Sequence, residues 1–170
     1  MNFALLPILL LLEVAFAGPA TITTTDPDDI VATMAIGGVE LRYRGTAAGR
    51  TGAQTKVKLS LANSSDKPIH LLSGIDDRVS FSFAVTTPNG ERIRFWSEGV
   101  SGERVGNNIA VLKPGQRLEE EVDLGRLMTF DQPGRYLITV RREINGVVTF
   151  PQRVLEIVDL QLIIDQSRKR

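Results

Sequence analysis

The sequence contains no cysteine and only one histidine, and these two shortages exclude several kinds of site. Without cysteine there is no disulfide, no thiol nucleophile, no zinc–thiolate site and no lipid-modified cysteine anchor. A single histidine, His70, cannot supply the two or more histidines that many metal centres use. A chain without disulfides depends on its core, and about 150 residues can bury roughly two thirds of the unfolded surface.

The sequence also lacks an excess of charge of either sign. Its 20 basic and 20 acidic residues cancel, so no general field steers the chain toward nucleic acid or an anionic membrane. We therefore expect no nucleic-acid partner. The 42% of hydrophobic residues and 24% of charged residues are typical of a globular protein, and 170 residues fit one domain of ordinary size.

The amino terminus predicts export. An apolar stretch from Phe3 to Leu12 precedes Ala15-Phe16-Ala17, a small-x-small pattern that suits signal peptidase. Residues 1–17 are therefore predicted to form a helical signal peptide, although Glu13 and the lack of basic residues depart from the usual pattern. The alternatives are a buried helix and an uncleaved anchor, but about ten apolar residues span only about 15 Å as a helix. The expected protein is secreted or periplasmic, with no stable membrane span after cleavage.

The rest of the chain divides into three predicted segments. Residues 18–29, rich in Thr, Asp and Pro, indicate a linker. Residues 30–158 alternate apolar and polar side chains between frequent turn signals, which is typical of an antiparallel sandwich or barrel. Residues 159–170 are predicted to form a C-terminal tail. The fold class is all-β, an antiparallel immunoglobulin-like β-sandwich of about eight strands.

Local patterns assign the faces of some strands. Phe81, Phe83 and Val85 share one face, and the following Pro88-Asn89-Gly90 predicts a tight hairpin, because Asn-Gly tolerates positive φ angles. Glu120 falls on an apolar face. It either meets solvent there or is an inward charge that blunts a sheet edge.

The segments VKLSLANSSDKPIHLL, FSFAVTTPNGERI, LKPGQRLEEEVDL and FDQPGRYLITV follow one another between Val57 and Val140. This succession resembles a plan found in secreted bacterial and fungal sandwich domains. It is similar to the non-catalytic β-domain of deuterolysin-type metalloproteases and, more distantly, to the intracellular proteinase inhibitor family of bacilli. The resemblance covers about half of the chain, mostly at turns, and implies a sandwich fold. It implies no protease activity, because the chain has no His-Glu-x-x-His sequence.

Several polar residues have structural interpretations. Tyr136 follows Pro133-Gly134 and predicts a tyrosine corner. His70 is interpreted as packed or at the surface, since no Gly-x-Ser-x-Gly elbow accompanies it. The acidic runs 26–29 and 76–77 are interpreted as solvated loops rather than cation sites.

Two further sets of residues bear on glycan hydrolysis and on N-glycosylation. Glu119, Glu120 and Glu121 are adjacent, but alternation separates Glu120 from its neighbours, so the three cannot form one hydrolytic site. Asn63-Ser64-Ser65 matches the N-glycosylation sequon. No catalytic residue, metal site or cofactor is therefore predicted.

Trp96 lies beside a glycine-rich segment and is expected in the core; if it were exposed, it would mark a partner or glycan-stacking surface. Together with Arg94 and Glu98 it forms the candidate partner-binding surface. The leading functional hypothesis is an exported, non-enzymatic accessory domain that binds a protein or cell-envelope component. The alternatives are a secreted protease inhibitor that presents the Ser97–Asn108 loop and a hydrolase with an unrecognised site.

Overall fold

The computed structural model describes residues 21–26, 29–50, 54–72, 78–104, 109–144 and 153–165. The predicted signal peptide, residues 1–17, lies outside the described residues. So do Asp76 and Asp77.

The described residues form fifteen β-strands and one helical turn, α1 (Leu124–Leu127). The strands in chain order are β1 (Thr21–Asp26), β2 (Asp29–Ile36), β3 (Val39–Thr46), β4 (Ala48–Arg50), β5 (Lys56–Asn63), β6 (Ile69–Leu72), β7 (Arg78–Val79), β8 (Ser82–Thr86), β9 (Arg92–Trp96), β10 (Val100–Ser101), β11 (Glu103–Arg104), β12 (Ile109–Leu112), β13 (Arg117–Asp123), β14 (Gly134–Ile144) and β15 (Arg153–Asp165). The all-β class predicted from the sequence is confirmed. The strands are more numerous than the eight expected, because several have only two or three residues and carry no alternation of their own.

The first large sheet has the strand order β1-β2-β3-β5-β13, with every neighbouring pair antiparallel. On β3, Val39, Leu41 and Tyr43 are buried, and the residues between them face outward. This is the period of two that the sequence predicts for a half-buried strand.

The second large sheet has the order β4-β15-β14-β8-β9. Its pairs are antiparallel except for the short β4, which runs parallel to β15. Two smaller sheets, β11-β12-β6 and β10-β7, complete the strand pairing of the described residues.

The inward side chains of both large sheets belong to one hydrophobic cluster. Phe83 and Val85 of β8 are fully buried in it, as alternation predicts. Phe130 and Tyr136 meet edge to face with ring centroids 5.0 Å apart. The Tyr136 hydroxyl donates to the Gln132 carbonyl oxygen at 3.0 Å, which confirms the predicted tyrosine corner.

Two segments predicted to lie outside the β-domain form strands of the two large sheets. The sequence predicts a linker over residues 18–29, but Thr21–Asp26 form β1 and pair with β2, because threonine favours strands and a partner strand is available. The sequence predicts a tail from residue 159, but β15 continues to Asp165 along β14, and Leu160, Leu162 and Ile164 are buried. Their alternation is that of a strand with one buried face.

Candidate partner-binding surface

The hairpin formed by β8 and β9 positions Trp96 and Arg94. The Gly90 amide donates to the Thr87 carbonyl oxygen at 2.9 Å, and the Thr87 amide donates to Glu91 at 2.8 Å. Gly90 has φ of 84°, a value that favours glycine, so the predicted Pro88-Asn89-Gly90 hairpin is confirmed. The turn fixes the register that places Arg94 opposite Ala84 and Trp96 opposite Ser82.

The prediction that Trp96 lies in the core is wrong. Trp96 is 62% exposed, and it shares the outer face of β9 with the exposed Arg92 and Arg94. The inward positions of this strand belong to Ile93 and Phe95, and the ring of Phe95 stacks on Phe83 at 5.3 Å. Because side chains alternate across a strand, an inward Phe95 requires an outward Trp96.

The outer face of the second sheet collects the exposed apolar side chains. Among the described residues, the large apolar side chains classed as exposed are Trp96, Val158 (46%) and Ile163 (49%). Trp96 lies on β9, and the other two lie on β15, with β8 and β14 between them. Three strand spacings separate β9 from β15 by roughly 14 Å. This sheet face therefore carries two apolar areas on one side of the molecule.

The side chains between these two areas differ in size and charge. Ala84 on β8 faces Thr139 on β14 in the register, and Ser82 faces Arg141. Arg141 in turn lies opposite Glu156 of β15, and its Nη2 contacts Glu143 at 2.7 Å. Between β9 and β15 the outer face thus combines small side chains with the Arg141–Glu143 ion pair, and arginine is among the residues enriched at protein interfaces.

Glu98 does not share this face. It is exposed just beyond the end of β9 and lines a cleft of about 360 Å³ with Gly99, Glu120 and Lys56, at the edge of the first sheet. The structure therefore brings together two of the three candidate residues, Trp96 and Arg94, and separates the third.

A buried carboxylate connects the end of β9 to the first sheet. Glu120 points inward from β13, which is an edge strand, and it is only 8% exposed. It accepts hydrogen bonds from the Ser97 hydroxyl and from the Gly99 amide, both at 2.8 Å. The sequence left two interpretations of Glu120 open, contact with solvent or an inward charge on a sheet edge. The structure shows the inward charge.

The same contacts change the description of the Ser97–Asn108 segment, which the sequence predicts to be a loop. Ser97 is buried and exchanges hydrogen bonds with the Phe81 backbone, each 2.9 Å long. Val100–Ser101 and Glu103–Arg104 form the short strands β10 and β11. β10 pairs with β7, which is distant in sequence, so no local pattern could reveal that pairing, whereas β11 pairs with β12, the next strand along the chain.

Charged side chains on the outer face of the first sheet pair with one another. Lys56 contacts Glu121 at 2.9 Å, and this contact raises the pKa of Lys56 and lowers the pKa of Glu121. Arg117 lies 3.6 Å from Glu119. Since Glu120 bonds on the opposite face, the carboxylates of Glu119, Glu120 and Glu121 do not converge, as alternation predicts.

Arg142 is a buried cation that the sequence reasoning missed. It points inward from β14, and its Nη1 donates to the Ser80 carbonyl oxygen at 2.6 Å. Burial lowers the pKa of Arg142 to about 10. The signal was present, because the alternation of Tyr136, Ile138 and Val140 continues inward to position 142.

The sequon asparagine has a structural role. Asn63 is 1% exposed, and its amide nitrogen donates to the carbonyl oxygens of Lys67 and Leu112 at 2.8 and 2.9 Å. Its side-chain oxygen accepts from the Ser65 amide and hydroxyl. A glycan on Asn63 would displace these bonds, so the folded chain has no room for one at this position.

The remaining candidates stay apart. His70 is half-buried on β6 opposite Val111, and the described residues form no hydrogen bond with its ring. In the backbone register, Asp26 is paired with Asp29 at the end of the β1–β2 pair. Within the described ranges, no three His, Cys, Asp or Glu side chains are placed to hold a metal ion.

No family model matches the chain, and no curated protein matches it. In the described residues, no helix has the length and apolar character needed to cross a membrane.

Proposed function

We propose that this chain is an exported, non-enzymatic binding domain that contacts a protein or cell-envelope component through the outer face of the second sheet. The observation that carries the proposal is the exposure of Trp96 on an edge strand, next to Arg92 and Arg94. Tryptophan and arginine are the side chains most enriched among residues that dominate binding energy. We propose further that the two large sheets form an immunoglobulin-like sandwich, with this face on one side.

The proposal is tested by capture with matched variants. The immobilised mature domain is compared with Trp96→Ala and Arg94→Glu in its recovery of proteins from an envelope fraction of the source cells. Arg42→Glu is the control, because Arg42 is an exposed arginine on the outer face of the other large sheet. We expect at least one species to bind the parent and Arg42→Glu but neither β9 variant. Identical recovery by all four proteins would contradict the proposal.

Export is a separate part of the proposal and rests on residues 1–17. Amino-terminal sequencing of the protein recovered from its native compartment should begin at Gly18. Recovery from the cytoplasm with Met1 or Asn2 still present would contradict export without affecting the binding face.

A further inference from the structure

We propose that β9 binds an extended segment of a partner protein as an added antiparallel strand, and that this segment carries acidic residues opposite Arg92 and Arg94. The inference rests on the proposed function, because it names the partner chemistry for the same surface. Adding a strand to an exposed sheet edge is a recurrent way of recognising peptides, in which backbone bonds supply affinity and alternate side chains supply specificity.

The backbone of β9 has hydrogen-bonding groups directed at its open edge. The pairs Thr87–Glu91 and Phe81–Ser97 are joined by backbone bonds of 2.8 and 2.9 Å. Bonded and non-bonded pairs alternate along an antiparallel ladder, so the groups of Arg92, Arg94 and Trp96 point away from β8. Among the described residues β9 pairs only with β8. An added strand would therefore bond to these three residues.

The inward side of β9 is incompletely covered. Ile93 and Phe95 pack against the core but are only partly buried, whereas their cross-strand partners Val85 and Phe83 are fully buried. This difference arises because, in the part of the chain that the structure describes, β9 has a neighbouring strand on one side alone. Apolar side chains of an added strand, placed opposite Ile93 and Phe95, would cover the remaining area.

The outer side of β9 selects charge. Arg92 and Arg94 are exposed, and neither forms an ion pair with any described residue. Opposite charges directly across two antiparallel strands are favourable, and like charges are unfavourable. Acidic residues opposite the two arginines, alternating with apolar residues, make the complementary pattern.

The same arginines disfavour a second copy of this chain as the occupant. A symmetric antiparallel pairing of two β9 strands centred on residue 94 would place Arg94 opposite Arg94. Charged residues on an exposed edge are a common protection against self-association. The partner strand is therefore expected to come from a different, acidic segment.

A synthetic peptide tests this directly. The peptide Ser-Thr-Val-Glu-Val-Glu-Ser is titrated into the whole mature domain and followed by amide chemical shifts. We expect saturable shifts centred on Arg92–Trp96, and none with Ser-Thr-Val-Lys-Val-Lys-Ser or with the rearranged Ser-Thr-Val-Val-Glu-Glu-Ser. A lack of shifts up to about 1 mM peptide, which corresponds to a binding free energy of about −4 kcal/mol, would overturn the inference.

N-methylation of the peptide tests the strand geometry without altering the protein. In the proposed pairing, the amides of the two glutamates face β9, and the amide of the valine between them faces away. Methylation of either glutamate amide should weaken binding about tenfold or more, since a bond is lost and a clash is added. Methylation of that valine should change affinity by less than about threefold. Equal effects at all three positions would overturn strand addition.

Charge reversal tests the selectivity. The Arg92→Glu/Arg94→Glu variant should lose the glutamate peptide and bind the lysine peptide instead. An unchanged preference for the glutamate peptide would overturn the assignment of an acidic partner. Dimerisation of the domain, with shifts at the same β9 amides, would instead identify a second copy of this chain as the occupant. If the β9 variants lose capture but the peptide does not bind, this inference fails while the proposed function stands. If capture is the same for all variants, the proposed function fails, whatever the peptide does.

Discussion

The two edge strands β13 and β9 each end a five-stranded sheet, but they differ in the side chains that protect their unpaired edges. β13 carries an inward carboxylate, Glu120, which is bonded to the segment that begins at Ser97. On its outer face Glu121 pairs with Lys56. β9 has apolar side chains inward and, at Arg92 and Arg94, cations without a described ion partner.

This difference distinguishes an edge that is protected against pairing with another chain, β13, from one that can accept an added strand, β9. An inward charge and a covering segment are two of the devices that keep an edge strand from pairing with another chain. β13 uses both, because Glu120 holds the Gly99 amide beside it. β9 uses only outward charge, which repels like strands and attracts complementary ones.

Removing Glu120 should break the closed edge. Glu120→Ala leaves the Ser97 hydroxyl and the Gly99 amide without their acceptor, at a cost of about 3 kcal/mol in the free energy of unfolding. The measurement is chemical denaturation. Glu119→Ala is the control, because its pair with Arg117 is exposed and worth about 0.5 kcal/mol or less. A loss for Glu120→Ala no larger than for the control would contradict the closed edge.

Asn63 secures the turn that precedes β13. Its backbone amide donates to the Gln116 carbonyl oxygen at 3.0 Å, and its side chain bonds Lys67 and Leu112. Asn63→Ala should lower the free energy of unfolding by about 2 kcal/mol, because two carbonyl groups lose their donor. Asn89→Ala, at the exposed β8–β9 turn, should cost about 0.5 kcal/mol or less. Similar losses at both asparagines would argue against this role.

The two tyrosines offer a smaller test within the core. Tyr136→Phe removes the hydroxyl that bonds Gln132 and should cost about 1 kcal/mol. Tyr43→Phe should be close to neutral, because the described residues give the Tyr43 hydroxyl no hydrogen-bond partner, and burial raises the pKa of that hydroxyl. Thermal unfolding of both variants measures the difference. A larger loss of stability for Tyr43→Phe than for Tyr136→Phe would contradict the assignment of the stabilising hydroxyl to Tyr136.

Trp96 should contribute least to folding. Since most of its surface is exposed, Trp96→Ala should change the free energy of unfolding by about 0.5 kcal/mol or less. Near-neutral stability combined with lost partner capture would sharpen the contrast between the two edges. A destabilisation of 2 kcal/mol or more, measured by denaturation, would show that Trp96 supports the fold instead.

The features of this fold that could be predicted from the sequence are those set by neighbouring residues, namely the orientation of strand side chains and the turns. Alternation correctly orients Phe83 and Val85, and the turn residues correctly predict the hairpin before β9. The strands β4, β7, β10 and β11 escape prediction, because they are two or three residues long and too short to show an alternation of their own. The expectation that Trp96 lies in the core fails because the period of two on β9, with Phe95 packed against the core, places Trp96 on the outer face.

The candidate site could likewise be predicted only in part from the sequence. Trp96, Arg94 and Glu98 could be selected from the sequence, but strand β9 ends between Trp96 and Glu98, so only two share a face. Val158 and Ile163 join that face through sheet pairing across β14 and β8. Pairing between distant strands, rather than any local motif, therefore assembles the surface.

The position of Ser97 gives the molecule a mechanical property. Ser97 directly follows Trp96 and bonds both the Phe81 backbone and Glu120. Tension applied along β9 by an anchored partner would therefore load the backbone ladder with β8 in shear, while the Glu120 bond carries part of the load to the other large sheet. The bonds of a ladder loaded in shear must break together rather than one at a time, so the β8–β9 pair would resist a pull along β9 better than a pull that peels it from one end.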